Sequence, residues 1–153
     1  MKGLIQRVSS AKVSIKDAHG TNSVIGSIDQ GLLLLLGIEK DDDSAKSEKL
    51  LEKILNYRVF SDEQGKMNLS LLDIKGGLLV VSQFTLAAET RKGLRPGFSS
   101  AAPPEKAATL YHEFVDRAAN STPDISVETG SFGADMQVSL VNDGPVTFLL
   151  EAN

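Results

Sequence analysis

The sequence contains no cysteine and only two histidines. The absence of cysteine excludes a disulfide framework, a thiolate zinc site and a cysteine nucleophile. His19 falls in a predicted turn and His112 on the solvated side of a helical pattern. Because neither has a second histidine at metal-ligand spacing, we expect no zinc site and do not favour a histidine-based catalytic triad. A chain without cysteine also fits a reducing compartment, and we expect the protein in the cytoplasm.

Long apolar runs and a broad basic surface are also missing. The longest apolar run, residues 32–36, is far too short to cross a bilayer, so we expect no membrane association. The first residues, MKGLIQRVSSAKVSI, mix charged and apolar side chains too early for a signal peptide. The net charge of −4 disfavours a protein that coats nucleic acid with a broad basic face, but it allows a local basic patch.

The periodicity of the apolar residues predicts several short strands and two helices. With 153 residues, we expect one domain over residues 1–153. The predicted strands, which have alternating or wholly apolar patterns, are residues 4–8, 11–15, 23–28, 32–38, 57–60, 78–84, 125–128, 136–141 and 146–151. We expect the third and fourth of these strands to turn back on each other at Asp29-Gln30-Gly31.

Aspartate and proline mark where the two helices are predicted to begin. The first helix follows the aspartates at positions 41–43, and the second begins near Pro103-Pro104. The aspartates could instead hold Mg²⁺, but a helix cap is the preferred interpretation, so no metal or cofactor is predicted. Two helices are too few for a doubly wound parallel sheet. We therefore predict a mixed α+β fold with a mostly antiparallel, barrel-like sheet and two packed helices.

Two polar stretches at predicted strand ends are the candidates for chemistry. Ser82-Gln83-Phe84-Thr85 follows an apolar strand, where its hydroxyls could simply bond to the backbone. The second stretch, Asn142 to Thr147, contains Gly144-Pro145. Proline fits poorly inside a strand, so a turn between the last two strands is expected, and X-Pro bonds are where cis peptides occur. A glycine-bearing stretch, Gly130-Ser131-Phe132-Gly133, is interpreted only as a turn.

A third stretch, from Glu89 to Phe98, carries three cations on an otherwise acidic chain. Arg91, Lys92 and Arg95 lie within this segment, which is predicted to be irregular. They form either a solvated loop or a small patch that contacts phosphates, since Arg and Lys supply most phosphate contacts.

Taken together, these stretches resemble the D-aminoacyl-tRNA deacylases. The family's Ser-Gln-Phe-Thr signature matches residues 82–85, and its Asn-x-Gly-Pro-Val-Thr motif matches residues 142–147. Shorter matches, which extend the resemblance from the first strand to about residue 151, are Gln6-Arg7-Val8, Phe60-Ser61-Asp62, Gly65-Lys66-Met67-Asn68 and Arg95-Pro96.

The resemblance implies an enzyme that hydrolyses the ester joining a D-amino acid to the terminal ribose of tRNA. It implies a homodimer whose active sites lie at the subunit interface. Ser82, Gln83, Phe84 and Thr85 would be the catalytic stretch of each site. Gly144 and Pro145, with a cis peptide, would enter the partner's pocket to select chirality. Arg7 would fix the orientation of the Gly-Pro carbonyls, and Arg91, Lys92 and Arg95 remain candidates for tRNA contact.

Two mechanisms fit the residues. Thr85 could attack the ester, but a threonine hydroxyl needs an adjacent base, and none is near it in sequence. The favoured mechanism uses backbone N–H groups for the oxyanion and the ribose 2′-OH of the tRNA for assistance. A wall of backbone atoms would reject an L side chain but not glycine, so glycyl-tRNA is expected to be a substrate. The alternatives are a hydrolase of another activated ester that uses Thr85 as nucleophile, and a non-catalytic tRNA- or protein-binding dimer.

Overall fold

A computed structural model describes residues 1–153 and contains eight strands, three α-helices and one 3₁₀ turn. The strands are β1 Lys2–Lys16, β2 Asn22–Ile28, β3 Gly31–Gly37, β4 Phe60–Ser61, β5 Met67–Leu69, β6 Gly77–Ser82, β7 Val127–Thr129 and β8 Met136–Glu151. The helices are α1 Ser44–Asn56, α2 Leu71–Ile74 and α3 Pro104–Ser121, and the 3₁₀ turn is Phe84–Ala87.

The long strand β1 organises the main sheet. Strand β8 runs antiparallel along one edge of β1, while β3 and β2 pair antiparallel with successive halves of its other edge. Strand β3 then pairs with β6, and β6 with β7, both in parallel. The open ends approach each other, since a Cβ atom on Gly26 of β2 would lie 2.6 Å from the Thr129 carbonyl oxygen of β7. The predicted mixed α+β fold with a mostly antiparallel, barrel-like sheet is confirmed, and the structure adds that the sheet is nearly closed and that a third, short helix is present.

Several predicted boundaries are wrong. The two predicted first strands form the single strand β1, and the two predicted last strands form β8. Bulges let both strands continue past polar or proline residues that break the apolar alternation. The expected chain reversal at Asp29-Gln30-Gly31 does not occur, because β2 and β3 follow each other in one direction along β1. Strand β6 ends at Ser82, not at Phe84, and residues 57–59 lie outside β4.

The two predicted helices begin where their capping residues indicate. The Asp43 side chain accepts a hydrogen bond from the Lys46 N–H at 2.9 Å and caps α1. Asp42 instead turns inward, where it binds the Met1 ammonium at 2.6 Å and the Glu39 N–H at 2.7 Å. Helix α3 begins at Pro104 as predicted. The short helix α2 was not predicted, because four residues are too few to show a helical period.

Both faces of the central strands are buried. Helices α1 and α3 cover one face through residues that include Leu50, Ile54 and Phe114. A second, smaller apolar cluster lies on the opposite face around Leu33, Leu79 and Val81 of β3 and β6. This burial on both faces explains why these parallel strands are continuous apolar runs. No helix is long and apolar enough to cross a membrane.

Candidate active site

The candidate site begins where β6 ends. The Gln83 N–H donates to the Leu36 carbonyl of β3 at 2.8 Å, which is the last bond that ties this segment to the sheet. The 3₁₀ turn follows at once, and its first bond runs from the Leu86 N–H to the Gln83 carbonyl at 3.2 Å. Because i→i+3 bonding starts only at Leu86, the N–H groups of Phe84 and Thr85 have no acceptor within the turn.

The first two side chains of this turn, Phe84 and Thr85, are open to solvent, while Ala87 at its end is buried. The Gln83 amide donates through Nε2 to the Thr85 hydroxyl oxygen at 2.6 Å. Phe84 is 60% exposed, and its ring packs against Phe98 with 5.1 Å between the centroids. This contact attaches Phe98, the last residue of the stretch from Glu89 to Phe98 that carries the three cations, to the turn. No carboxylate or histidine bonds to Thr85, so its hydroxyl has no base.

An apolar cleft of about 470 Å³ opens beside the turn. It lies between the end of β6, the start of α3 and the segment that enters β8. Ten of its 14 lining residues are hydrophobic, and the lining includes Ser82, Gln83, Phe84, Phe132, Gly133 and Met136. The sequence interpretation missed Phe132 and Gly133, because a glycine-flanked aromatic there indicated only a turn.

The floor of the cleft is supported by a buried tyrosine. The Phe132 ring lies 5.5 Å from that of Tyr111 on α3. The Tyr111 hydroxyl donates to the Val80 carbonyl of β6 at 2.9 Å. Burial raises the pKa of Tyr111 to about 12, so this donor keeps its proton at neutral pH. Helix α3, strand β6 and Phe132 are therefore held together beneath the cleft.

Gly144 and Pro145 lie in a bulge of β8 and do not line this cleft. Gln6 pairs with Thr147 and Val8 with Asn142, so Arg7 alone faces residues 143–146. The turn predicted between two strands is thus an outward bulge within one strand, and its Gly144-Pro145 peptide bond is cis.

The bulge requires glycine at position 144 and is braced by Arg7. Gly144 has a φ of +130°, and a Cβ there would lie 3.0 Å from the Val146 nitrogen and 3.1 Å from an Arg7 guanidinium nitrogen. The Arg7 Nε donates to the Asp143 carbonyl at 2.9 Å, the carbonyl immediately before Gly144. Its Nη1 donates to the Val59 carbonyl at 2.6 Å.

The three predicted cations lie in one exposed loop but are not equivalent. Backbone hydrogen bonds between Glu89 and Gly97 close the loop at 2.8 and 3.0 Å. Arg91 forms an ion pair with Glu89, and hydrogen bonds from the Arg91 side chain lower the pKa of Glu89 to about 2. Lys92 and Arg95 are exposed and form no ion pair. Two of the three charges are therefore free to meet an anion.

Comparison with known proteins assigns the family. The family model described as D-Tyr-tRNA(Tyr) deacylase matches residues 4–151. A D-aminoacyl-tRNA deacylase of Stutzerimonas stutzeri (strain A1501) is 61% identical over 99% of this chain and 100% of that protein. Another, of Pseudomonas aeruginosa (strain UCBPP-PA14), is 57% identical with the same coverage.

Two solved structures have folds similar to that of this chain. A protein named c-Myc DNA Unwinding Element Binding Protein is 40% identical, with a TM-score of 0.91 over 100% of this chain and 99% of that one. A probable eukaryotic D-amino acid tRNA deacylase has a TM-score of 0.82 over 98% of each chain, and its 14% identity limits the likeness to the fold. On the family model and these identities, the chain belongs to the D-Tyr-tRNA(Tyr) deacylase family.

Proposed function

We propose that the protein hydrolyses D-aminoacyl-tRNA to free tRNA and a D-amino acid. The observation that carries this proposal is the polar turn at residues 82–85, which borders an apolar cleft and leaves backbone N–H groups without acceptors in the turn. The family membership and the identity of 61% to a D-aminoacyl-tRNA deacylase support the same substrate. The cytoplasm, where aminoacyl-tRNA is made and used, is the proposed location.

The cleft is suited to the terminal adenosine of the tRNA. Its volume of about 470 Å³ lies in the range of small-ligand sites, and its lining is mostly apolar with a few polar groups at one edge. Phe132 offers an aromatic ring on which the adenine base could stack. Stacking of a base on an aromatic ring does not depend on the nucleotide sequence of the tRNA. An adenosine bound there would place the ribose and its ester beside Gln83 and Thr85.

The chemistry needs positioning more than a strong nucleophile. The ester of a vicinal diol is already activated, so water can add to its carbonyl carbon if the developing oxyanion is stabilised. The N–H groups of Phe84 and Thr85 are candidates for that stabilisation, which is often the largest single catalytic contribution. The C–O bond to the ribose then breaks, and the ribose oxygen regains a proton with the help of the neighbouring 2′-OH. Gln83 holds the Thr85 hydroxyl in place through its side-chain amide and ties the turn to β3 through its N–H, directly after Ser82 at the end of β6.

Chirality selection is proposed to come from a second copy of the chain. Gly144 and Pro145 are exposed and lie away from the cleft of their own chain. Strand β8, which carries them, pairs only with β1. Val141 and Leu149 on this strand are 57% and 51% exposed, as expected for a face that a partner covers. In such a homodimer, Gly144 and Pro145 of the partner subunit would form a backbone wall next to the substrate Cα.

The wall gives a test that separates this proposal from its alternatives. A rigid backbone rejects an L side chain, but it has no means to reject a hydrogen atom. We therefore expect hydrolysis of D-Tyr-tRNA and of glycyl-tRNA, with L-Tyr-tRNA spared, in parallel deacylation assays. Cleavage of D-Tyr-tRNA with glycyl-tRNA intact at high enzyme would contradict the wall. Hydrolysis of none of the three would leave a non-catalytic tRNA-binding dimer.

A further inference from the structure

The hairpin formed by β4 and β5 has no place in the function proposed so far. The strands contain only two and three residues, so the ladder between them contributes few hydrogen bonds. Hydrogen bonds from side chains supply most of the remaining contacts that hold the hairpin together. Asp62, in the turn, accepts from the N–H groups of Gln64 and Lys66 at 2.9 Å each.

A continuous chain of side-chain hydrogen bonds crosses this hairpin. Asp62 Oδ2 accepts from the Asn68 amide at 2.8 Å. This bond, followed by those from Lys66 and Gln64, holds the pKa of Asp62 below its usual value, so its carboxylate stays charged. The Arg58 guanidinium in turn donates to the Asn68 backbone carbonyl at 2.8 Å and to its side-chain oxygen at 2.6 Å. Two parallel bonds from one planar group fix the direction of the Arg58 segment.

The residue after Arg58 links the hairpin to the bulge. The Val59 carbonyl accepts from Arg7 at 2.6 Å, and the same guanidinium donates to the Asp143 carbonyl at 2.9 Å. The Arg7 side chain is only 11% exposed, so it is held between the two carbonyls with little freedom. A shift of the Val59 carbonyl would therefore move Arg7, and with it the backbone that leads into Gly144.

We propose that Arg58 and Asn68 are positioning residues for chirality selection, because they fix the Val59 carbonyl that holds Arg7 against the Gly144-Pro145 bulge. This inference rests on the proposed function, in which that bulge is the wall that rejects L-amino acids. It gives a role to the stretch Phe60-Ser61-Asp62 and Gly65-Lys66-Met67-Asn68, which the site itself does not use. Arg58 and Asn68 act through Arg7 and do not touch the substrate.

The ratio of D to L hydrolysis is the measurement that separates positioning from general effects. A variant that binds tRNA less well loses activity on both substrates equally, so its ratio does not change. A looser wall admits the L side chain and lowers the ratio specifically. Loss of the Arg58–Asn68 contact should displace the bulge by well below ~1 Å. We therefore expect the ratio of D to L hydrolysis to fall by about 3- to 10-fold, less than the ~100-fold that a 1 Å misplacement can cost.

The experiment measures kcat/KM of the full chain on D-Tyr-tRNA and on L-Tyr-tRNA. Asn68→Ala removes the side-chain bonds to Arg58 and Asp62, while Arg58→Met removes both guanidinium bonds and keeps the aliphatic stem. Arg117→Met is the matched control, since Arg117 is also a surface arginine with one partner, Glu48 at 2.9 Å on α1. Arg7→Met reports the effect of releasing the bulge itself. Thermal unfolding verifies that each variant is folded.

The inference is supported if Asn68→Ala and Arg58→Met both lower the ratio and Arg117→Met does not. Faster amide exchange in residues 142–147 of the same two variants would show that the bulge has loosened. An unchanged ratio in both hairpin variants, with a lowered ratio in Arg7→Met, overturns the inference and leaves the proposed function intact. An unchanged ratio in Arg7→Met as well removes the wall from the proposed function, and the inference fails with it.

Discussion

The Thr85 hydroxyl is expected to be a positioning group, and replacing it with alanine tests this directly. In the structure the hydroxyl oxygen accepts one hydrogen bond, from the Gln83 amide at 2.6 Å, and no base is bonded to it. An amide does not take up a proton at neutral pH, so Gln83 cannot activate Thr85 as a nucleophile. Thr85→Ala therefore removes one neutral hydrogen bond, worth about 0.5–1.5 kcal/mol, which corresponds to a loss of kcat/KM of about 2- to 13-fold.

If Thr85 were the nucleophile, Thr85→Ala would lose far more activity. Even the loss of a general base costs about 10²–10⁴-fold, and loss of the attacking group itself would leave only the uncatalysed rate. Single-turnover deacylation of labelled D-Tyr-tRNA distinguishes these ranges, with Thr109→Ala as a control for an exposed threonine away from the turn. Activity at the no-enzyme rate in folded, dimeric Thr85→Ala would refute the reasoning. So would an acyl group trapped on Thr85 of the unmodified enzyme.

Two further predictions concern charge. Replacing Lys92 and Arg95 with glutamine should flatten the salt dependence of tRNA binding, with a change in log–log slope of about 1.4 to 1.8, whereas Arg91→Gln should change it less because Arg91 is already paired with Glu89. Binding titrations at several salt concentrations decide this, and equal effects of all three would contradict it. The pKa of Tyr111 is near 10 in the unfolded chain, and burial raises it to about 12 in the folded protein. Between pH 10 and about 12 only the unfolded chain loses this proton, so the free energy of unfolding should fall by about 2–3 kcal/mol over that pH range. Urea unfolding on both sides of the window should show this loss in the parent but not in Tyr111→Phe, and the same loss in both would exclude Tyr111 as its source.

Local patterns were enough to predict helices α1 and α3, and they placed the end of β6 to within two residues, at Phe84 instead of Ser82. Helix α3 begins at Pro104 and buries Ala107, Leu110 and Phe114, as the helical spacing of apolar residues predicts. The apolar run before Ser82 is buried on both faces, which makes the change to polar residues a reliable sign of a strand end. These features depend on residues close in sequence, so the sequence alone is sufficient to locate them.

Features that depend on contacts between residues far apart in the sequence could not be predicted from local patterns. The bulge opposite Arg7 exists because β1 and β8 resume pairing on both sides of it, across more than 130 residues of chain. A proline inside a strand is allowed there only because the bulge removes it from the ladder. The Phe132 side of the cleft also depends on the tertiary structure, since Phe132 packs against Tyr111 of α3 and not against a close neighbour in sequence.

The separation of the turn from the bulge within one chain has a consequence for the proposed chirality selection. The turn at residues 84–87 is attached to β3 and β6, which are buried on both faces. The bulge lies on β8, an exposed edge strand, where Arg7 and two backbone carbonyls must supply the rigidity that burial does not. A wall that discriminates by steric overlap fails if it can yield by a fraction of an ångström. In the proposed function, the bracing of the bulge is therefore as important to chirality selection as the atoms that meet the substrate, and the inferred bracing extends through Val59 into the hairpin of β4 and β5.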